Sequence, residues 1–134
     1  MIEDNPGDVL LLRLAVDQHD ALYILEVLRD GAEAIRFVHN QWADTEPEPC
    51  VIVLDWHLPK HDGSLVLQTI RQVPTLAHVH VVALTSVVSP KDEIEIQRLG
   101  VRLYRTKPAD LEGWHSLAGE ILEICHESSM SAVS

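Results

Sequence analysis

The run Cys50 to Leu54, CVIVL, constrains this chain more than any other segment, because it is continuously apolar, rich in β-branched residues and too short for an ordinary helix. A strand with no polar face must be covered on both sides, which predicts a parallel sheet packed between two layers of helices. The run stops abruptly at Asp55. Two further runs behave alike: Val79 to Leu84, VHVVAL, stops at Thr85, and Val101 to Thr106, VRLYRT, stops at Lys107. Three strands thus deliver polar side chains at their carboxyl ends. Tyr23 to Leu28, YILEVL, is a fourth candidate strand, and Asp30-Gly31 after it marks a turn.

Segments of helical period alternate with these runs, as expected of an α/β domain. Helices are predicted at about Asp8 to Gln18, Ala32 to Asn40, Ser64 to Arg71, Pro90 to Leu99 and Leu111 to His126. In the last, Trp114, Leu117, Ala118, Ile121 and Cys125 recur at the spacing of one buried stripe. Pro90 suits a first helical turn, where its missing amide hydrogen has no partner anyway, and Gly100 marks a stop. Asp8 reads as a helix cap, and Gly63 as serving a turn and helix start. Ala43 to Pro49, ADTEPEP, reads as a polar loop. The domain is expected to span 1–126, with 127–134 as a flexible tail. Met1 and Ile2 directly precede Glu3-Asp4-Asn5, so the first strand is expected to be truncated, with residues upstream, a rearranged edge or a strand from a second chain as the explanations.

With 134 residues, 46% of them hydrophobic, one domain with one ordinary core is expected. Ten Lys plus Arg stand against 21 Asp plus Glu, a formal charge of -11, and the basic residues are scattered, which argues against nucleic acid as a partner. Cys50 and Cys125 are far apart and form no Cys-x-x-Cys pattern, so reduced thiols and a cytoplasmic location are the simplest expectation. No charged-then-apolar leader and no membrane-length apolar run is present in the sequence, so no membrane association is expected.

Ligands of open parallel sheets bind beyond the carboxyl ends of the strands. There the sequence places Glu3 and Asp4, then Asp55, Thr85 and Lys107. Carboxylates converging in one crevice repel each other by roughly 3 kcal/mol per pair at about 5 Å and an effective dielectric near 20. A divalent cation relieves that repulsion, and carboxylate and carbonyl oxygens favour a hard ion such as Mg2+. His57 and His61 invite a metal reading, but Pro59 between them argues against a shared helical face; His78 and His80 lack neighbouring acids or cysteines and read as structural.

Five motifs, IEDNPGDVLLL, VLRDGAEAI, VIVLDWHLPKHDG, VVALTS and LYRTKP, lie in order along nearly the whole chain. Together they resemble the receiver domain of two-component response regulators. The resemblance implies a doubly wound, flavodoxin-like sheet of five parallel strands in the order 2-1-3-4-5, flanked by five helices. It implies that Asp55 accepts a phosphoryl group from a phosphohistidine on a sensor histidine kinase. It further implies that Asp4 binds Mg2+ directly and Glu3 through a water, with Asp55 and the His57 carbonyl as further ligands. Lys107 and the Thr85 hydroxyl would contact the phosphoryl oxygens, Tyr104 would move inward with Thr85, and the Lys107-Pro108 bond would be cis. Positions 57 and 87 would tune hydrolysis; Val87 cannot orient a water, so a persistent phosphorylated state is expected.

Form and motifs are most similar to small single-domain regulators, some of them paired with bacterial phytochromes, so a bacteriophytochrome kinase, an unknown downstream protein and a homodimer through exposed Leu122 and Ile124 are the implied partners. Three other functions compete. An Mg2+-dependent phosphatase using Asp55 is disfavoured by His57, which stands where such enzymes place an acid, and by the lack of a cap insertion. A pseudo-receiver acting only as an interaction module is disfavoured by retention of Glu3, Asp4, Asp55, Thr85 and Lys107. No glycine-rich phosphate loop follows any strand, which argues against a nucleotide-binding domain.

Overall fold

The computed structural model describes the backbone of residues 1–40, 49–59 and 62–133 and the side chains of 1–39, 49–59 and 62–127. Residues 43–48 of the expected loop, Lys60 and His61 lie outside the described residues. In chain order the elements are α1 (Pro6–Asp17), α2 (Gly31–Asn40), β1 (Val51–Asp55), α3 (Gly63–Gln72), a 3-10 turn (Pro74–Leu76), β2 (His80–Thr85), α4 (Pro90–Arg98), β3 (Leu103–Thr106) and α5 (Leu111–Val133). β1, β2 and β3 form a parallel sheet in that order, with Asp55 opposite Leu84 and Thr85 opposite Thr106.

The period of the strands sorts the core into two layers. Ile52 and Leu54 of β1 and Val81 and Ala83 of β2 face α2, α3 and α4, packing with Ala34, Val38, Val66, Leu67, Ile70 and Ile96. Val53, Val82 and Leu84 face the other way, onto Leu12, Ala15 and Val16 of α1 and Trp114, Leu117, Ala118 and Ile121 of α5. Apolar residues in consecutive positions are therefore required, since each points into a different half of the core.

Met1 to Glu3 lie between two segments of chain. Ile2 bridges Leu28 on one side and Leu54 on the other, both in parallel. Its amide donates to Val53 at 2.7 Å and its carbonyl accepts from Asp55 at 2.9 Å, while Glu3 donates to the Leu28 carbonyl and Leu28 to that of Met1, each at 2.9 Å. The short first strand expected from the sequence is thus reduced to these residues. The expected strand at Tyr23 to Leu28 forms only the bridge at Leu28. A ladder needs a partner along its length, and Ile2 offers one residue of it. Beyond it, Tyr23, Ile24, Val51, Ile121 and Leu122 line an apolar cavity of about 370 Å³.

Helix ends follow local chemistry. Asn5, not Asp8, caps α1, its side chain accepting from the Gly7 amide at 2.9 Å. Asp62 caps α3 by accepting from Leu65. Gly100 adopts φ 72° just after α4, the left-handed conformation that closes a helix and that side chains disfavour. Arg71 reaches from α3 to the carbonyls of Ala77, Val79 and Gly100, satisfying groups in the loops that precede β2 and β3.

Three expectations are corrected here. Cys50 and Cys125 form a disulfide, with Cα atoms 4.8 Å apart. Their separation of 75 residues concealed a pairing that exists because α5 crosses the start of β1. α5 continues to Val133 rather than ending at His126. Ile124 is buried against the α1 and α5 layer, and Leu122 is partly buried against it, so neither is the exposed residue expected for a dimer contact. No helix among the described residues is long and apolar enough to cross a membrane.

Candidate functional site

The crevice is assembled by backbone bonds between strand ends. The Asp55 amide is held by Ile2, the Trp56 amide by Leu84 at 2.8 Å and the Lys107 amide by Thr85 at 2.7 Å. These bonds bring residues from the start, middle and end of the chain to one place. Glu3, Asp4 and Asp55 offer carboxylate oxygens within 4.8 Å of one another, the first and last buried and Asp4 exposed. Thr85 is fully buried at the end of β2.

Lys107 points into this cluster, its side chain only 14% exposed. Its Nζ donates to Asp8 Oδ2 at 2.8 Å and to Asp55 Oδ2 at 3.3 Å. Nζ also lies 2.8 Å from Glu3 Oε1, in an ion pair whose angle does not make a hydrogen bond. Burial by itself lowers an ammonium's pKa, but contacts with Asp8 and Glu3 and the charge of Asp55 outweigh it, so Lys107 is held above the ordinary lysine range. Glu3 moves the other way from an ordinary carboxyl. Burial first, then a hydrogen bond shared with Asp55, pushes it up to about 8, and Lys107 only partly opposes the rise.

Such a group fits a hard divalent cation. Glu3 Oε1 is buried with no hydrogen bond, three carboxylates converge, and every available donor is oxygen. The His57 amide donates to Asp55 Oδ1 at 3.1 Å, so residue 57 already follows the Asp55 carboxylate closely. The His57 ring turns away from the crevice to meet Asp92 on the first turn of α4 at 3.0 Å.

Thr85 and Tyr104 lie on the side of the crevice nearer α4. The Thr85 hydroxyl donates to the Val87 carbonyl at 2.8 Å and accepts from the Val87 amide at 3.3 Å, engaged with its own loop. Tyr104 packs against the α3 and α4 side of the core. Its hydroxyl is buried; the Ser89 backbone approaches without a hydrogen bond of good geometry, and burial pushes the phenol pKa up. The Lys107-Pro108 bond is not cis, and no cis peptide occurs among the described residues. The lysine is aimed instead by the bond from its amide to Thr85 and by the carboxylates that face it.

Two contacts were not anticipated from the sequence. Asp8 was expected only to cap a helix, yet it is a direct partner of Lys107, and the His57–Asp92 pair joins the loop after β1 to α4. Position in the first turn of α1 was the available signal for Asp8, because Asn5, the cap of that helix, directly follows Glu3 and Asp4.

Comparison with known proteins agrees with this architecture. Response regulator Rcp1 of Synechocystis sp. is 35% identical over 113 residues, covering 84% of this chain and 77% of that protein. The structure of the phosphorylated cyanobacterial phytochrome response regulator RcpA superposes with a TM-score of 0.80 at 32% identity, covering 91% of this chain and 88% of that one. The Mn(2+)-bound form of Rcp1 superposes with a TM-score of 0.78 at 34% identity, over 90% of this chain and 87% of that one. Receiver domains are in general signalling modules rather than turnover enzymes, and they bind Mg2+ or Mn2+ at an acidic pocket. Residues 1–118 match the response regulator receiver domain, and the chain belongs to that family of two-component signalling proteins.

Proposed function

We propose that this chain is a receiver that takes a phosphoryl group on Asp55 from a sensor histidine kinase and changes its surface in response. The observation that carries the reading is the approach of Lys107, from the end of β3, to Asp55 with Glu3 and Asp4 beside it. In the transfer, an Asp55 carboxylate oxygen forms a bond to phosphorus as the bond from phosphorus to the donor imidazole nitrogen breaks, the electron pair staying on that nitrogen. Asp4, Asp55, the His57 carbonyl and, through a water, Glu3 would hold Mg2+, which when bound offsets the charge of the transferring group.

The protein's own share is positioning. Lys107 meets a phosphoryl oxygen, and the Thr85 hydroxyl leaves Val87 to donate to another. Tyr104 follows Thr85, altering the face formed by α4, β3 and α5. Val87 is well exposed and carries no polar side chain with which to direct a water, which supports a persistent phosphorylated state and slow autodephosphorylation.

The finer architecture belongs to the same proposal. The two bridges of Ile2 support a five-strand order 2-1-3-4-5, in which the segment ending at Leu28 stands outermost. The receiver unit is taken as 1–126 and 127–134 as a C-terminal tail, although α5 carries on through that boundary to Val133. The likeness to Rcp1 and RcpA supports a phytochrome-type histidine kinase as donor and a cytoplasmic site of action. Output then passes to a downstream protein or a second copy of this chain.

The test is incubation with acetyl phosphate and Mg2+ followed by intact mass. One phosphoryl adduct is expected, absent when Mg2+ is chelated and absent in Asp55→Asn. An adduct that persists in Asp55→Asn would refute the assignment.

A further inference from the structure

Asp8 stands outside the set of acids that surround the expected cation, yet it lies as close to Lys107 as Glu3 does and, unlike Glu3, accepts a hydrogen bond from it. The two groups come from α1 and from the end of β3, 99 positions apart in the sequence. Both side chains are mostly buried, at 16% and 14% exposure. The Nζ to Asp8 distance of 2.8 Å is shorter than the 3.3 Å to Asp55. Asp8 is not needed as a helix cap, because Asn5 performs that role.

We propose that Asp8 is a positioning residue that shares Lys107 with Asp55 in the resting protein, so that the lysine donates only in part to the Asp55 side of the crevice until it gives up Asp8 for an incoming phosphoryl group. The proposal rests on the phosphotransfer reading given above. Two physical effects act together. A partly buried ammonium divided among three carboxylates donates less fully to any one of them, and a charged Asp8 adds repulsion to an anionic donor approaching the same crevice. Asp8 therefore sets how readily the site accepts a phosphoryl group and how long it keeps one, without touching phosphorus itself.

The experiment compares the wild-type chain with Asp8→Asn, Asp8→Ser and Asp8→Glu. Phosphorylation is followed by intact mass at varied acetyl phosphate with saturating Mg2+. Asp8→Asn and Asp8→Ser are expected to lower the half-saturating donor concentration by about threefold and to slow loss of the phosphoryl group similarly, the size expected for one partly screened charge. Asp8→Glu, which restores the charge, is expected to return both toward wild type.

A second readout needs neither donor nor metal. In 15N NMR of the resting protein, the Lys107 ammonium should give a signal protected from solvent exchange, and this protection should weaken in Asp8→Asn. Unchanged or weakened donor use in both neutral variants overturns the proposal, as does a wild-type Lys107 ammonium that exchanges freely. A wild-type chain that takes no phosphoryl group overturns the phosphotransfer reading instead, while the NMR comparison still decides whether Asp8 restrains the lysine.

Discussion

At the scale of single residues, the crevice is a cluster of acids whose charge one lysine offsets only in part. Glu3 shows the cost. Its proton is held more firmly in the folded chain, up to about 8, than at the ordinary 4.5. A raised carboxyl pKa favours the fold fully below the unfolded value, and that contribution is lost as pH rises through the folded value. The melting temperature of the metal-free protein is therefore expected to fall between pH 5 and pH 9, beyond the change due to other groups. Glu3→Gln should remove much of that fall, and millimolar Mg2+ should flatten it by replacing the proton with a cation. A melting profile identical in parent and variant would sink this account. Asp55 and Thr85 were legible in the sequence because each ends an apolar run, and Lys107 because it ends a third candidate strand. Asp8 was not, because its place in the first turn of α1 puts it near Glu3 and Asp4 but does not show that the end of β3 will face it.

At the scale of elements, close approach matters more than propensity. Gly63 opens α3, and its amide donates to the Trp56 carbonyl at 2.9 Å. A Cβ there would stand 2.8 Å from Trp56 Cε3 and 2.9 Å from its Cα, and the latter belongs to backbone that cannot swing away. The turn role expected for this glycine is thus more specifically a lack of space. Gly63→Ala is expected to destabilise the protein by about 1 to 3 kcal/mol through overpacking. A urea midpoint equal to that of the parent would show that the loop after Asp55 yields more easily than its packing implies. Helix positions agreed with the sequence to within two residues except at the end of α5, which runs on to Val133, since amphipathic stripes and caps are local. The segment at Tyr23 to Val27 did not become a strand, because strand formation depends on a neighbour that local sequence does not contain.

At the scale of the molecule, the disulfide ties the entrance of β1 to the later part of α5 across 75 residues. Closing a loop of that length restricts the unfolded chain by about 4 kcal/mol on the chain-entropy account. Cys125→Ser is expected to lower the melting temperature by roughly 10 °C. Reductant should lower the parent similarly and leave the variant unchanged. Alkylation followed by mass analysis checks the bond directly: two reactive thiols in the unreduced chain would remove the basis for the prediction.

What the sequence alone determined is the set of local instructions: β-branched runs buried on both faces, helices with one apolar stripe, and polar residues placed where the runs stop. Those rules act through neighbouring residues and can be read without a partner. Tertiary structure decided what depends on meeting at a distance. It joined Cys50 to Cys125, left only Ile2 to bridge the first strand on both sides, buried Ile124, and set Lys107 between Asp8 and Asp55. Contacts of this kind arise from the register of a parallel sheet and the course of helices across it, neither of which any single segment encodes.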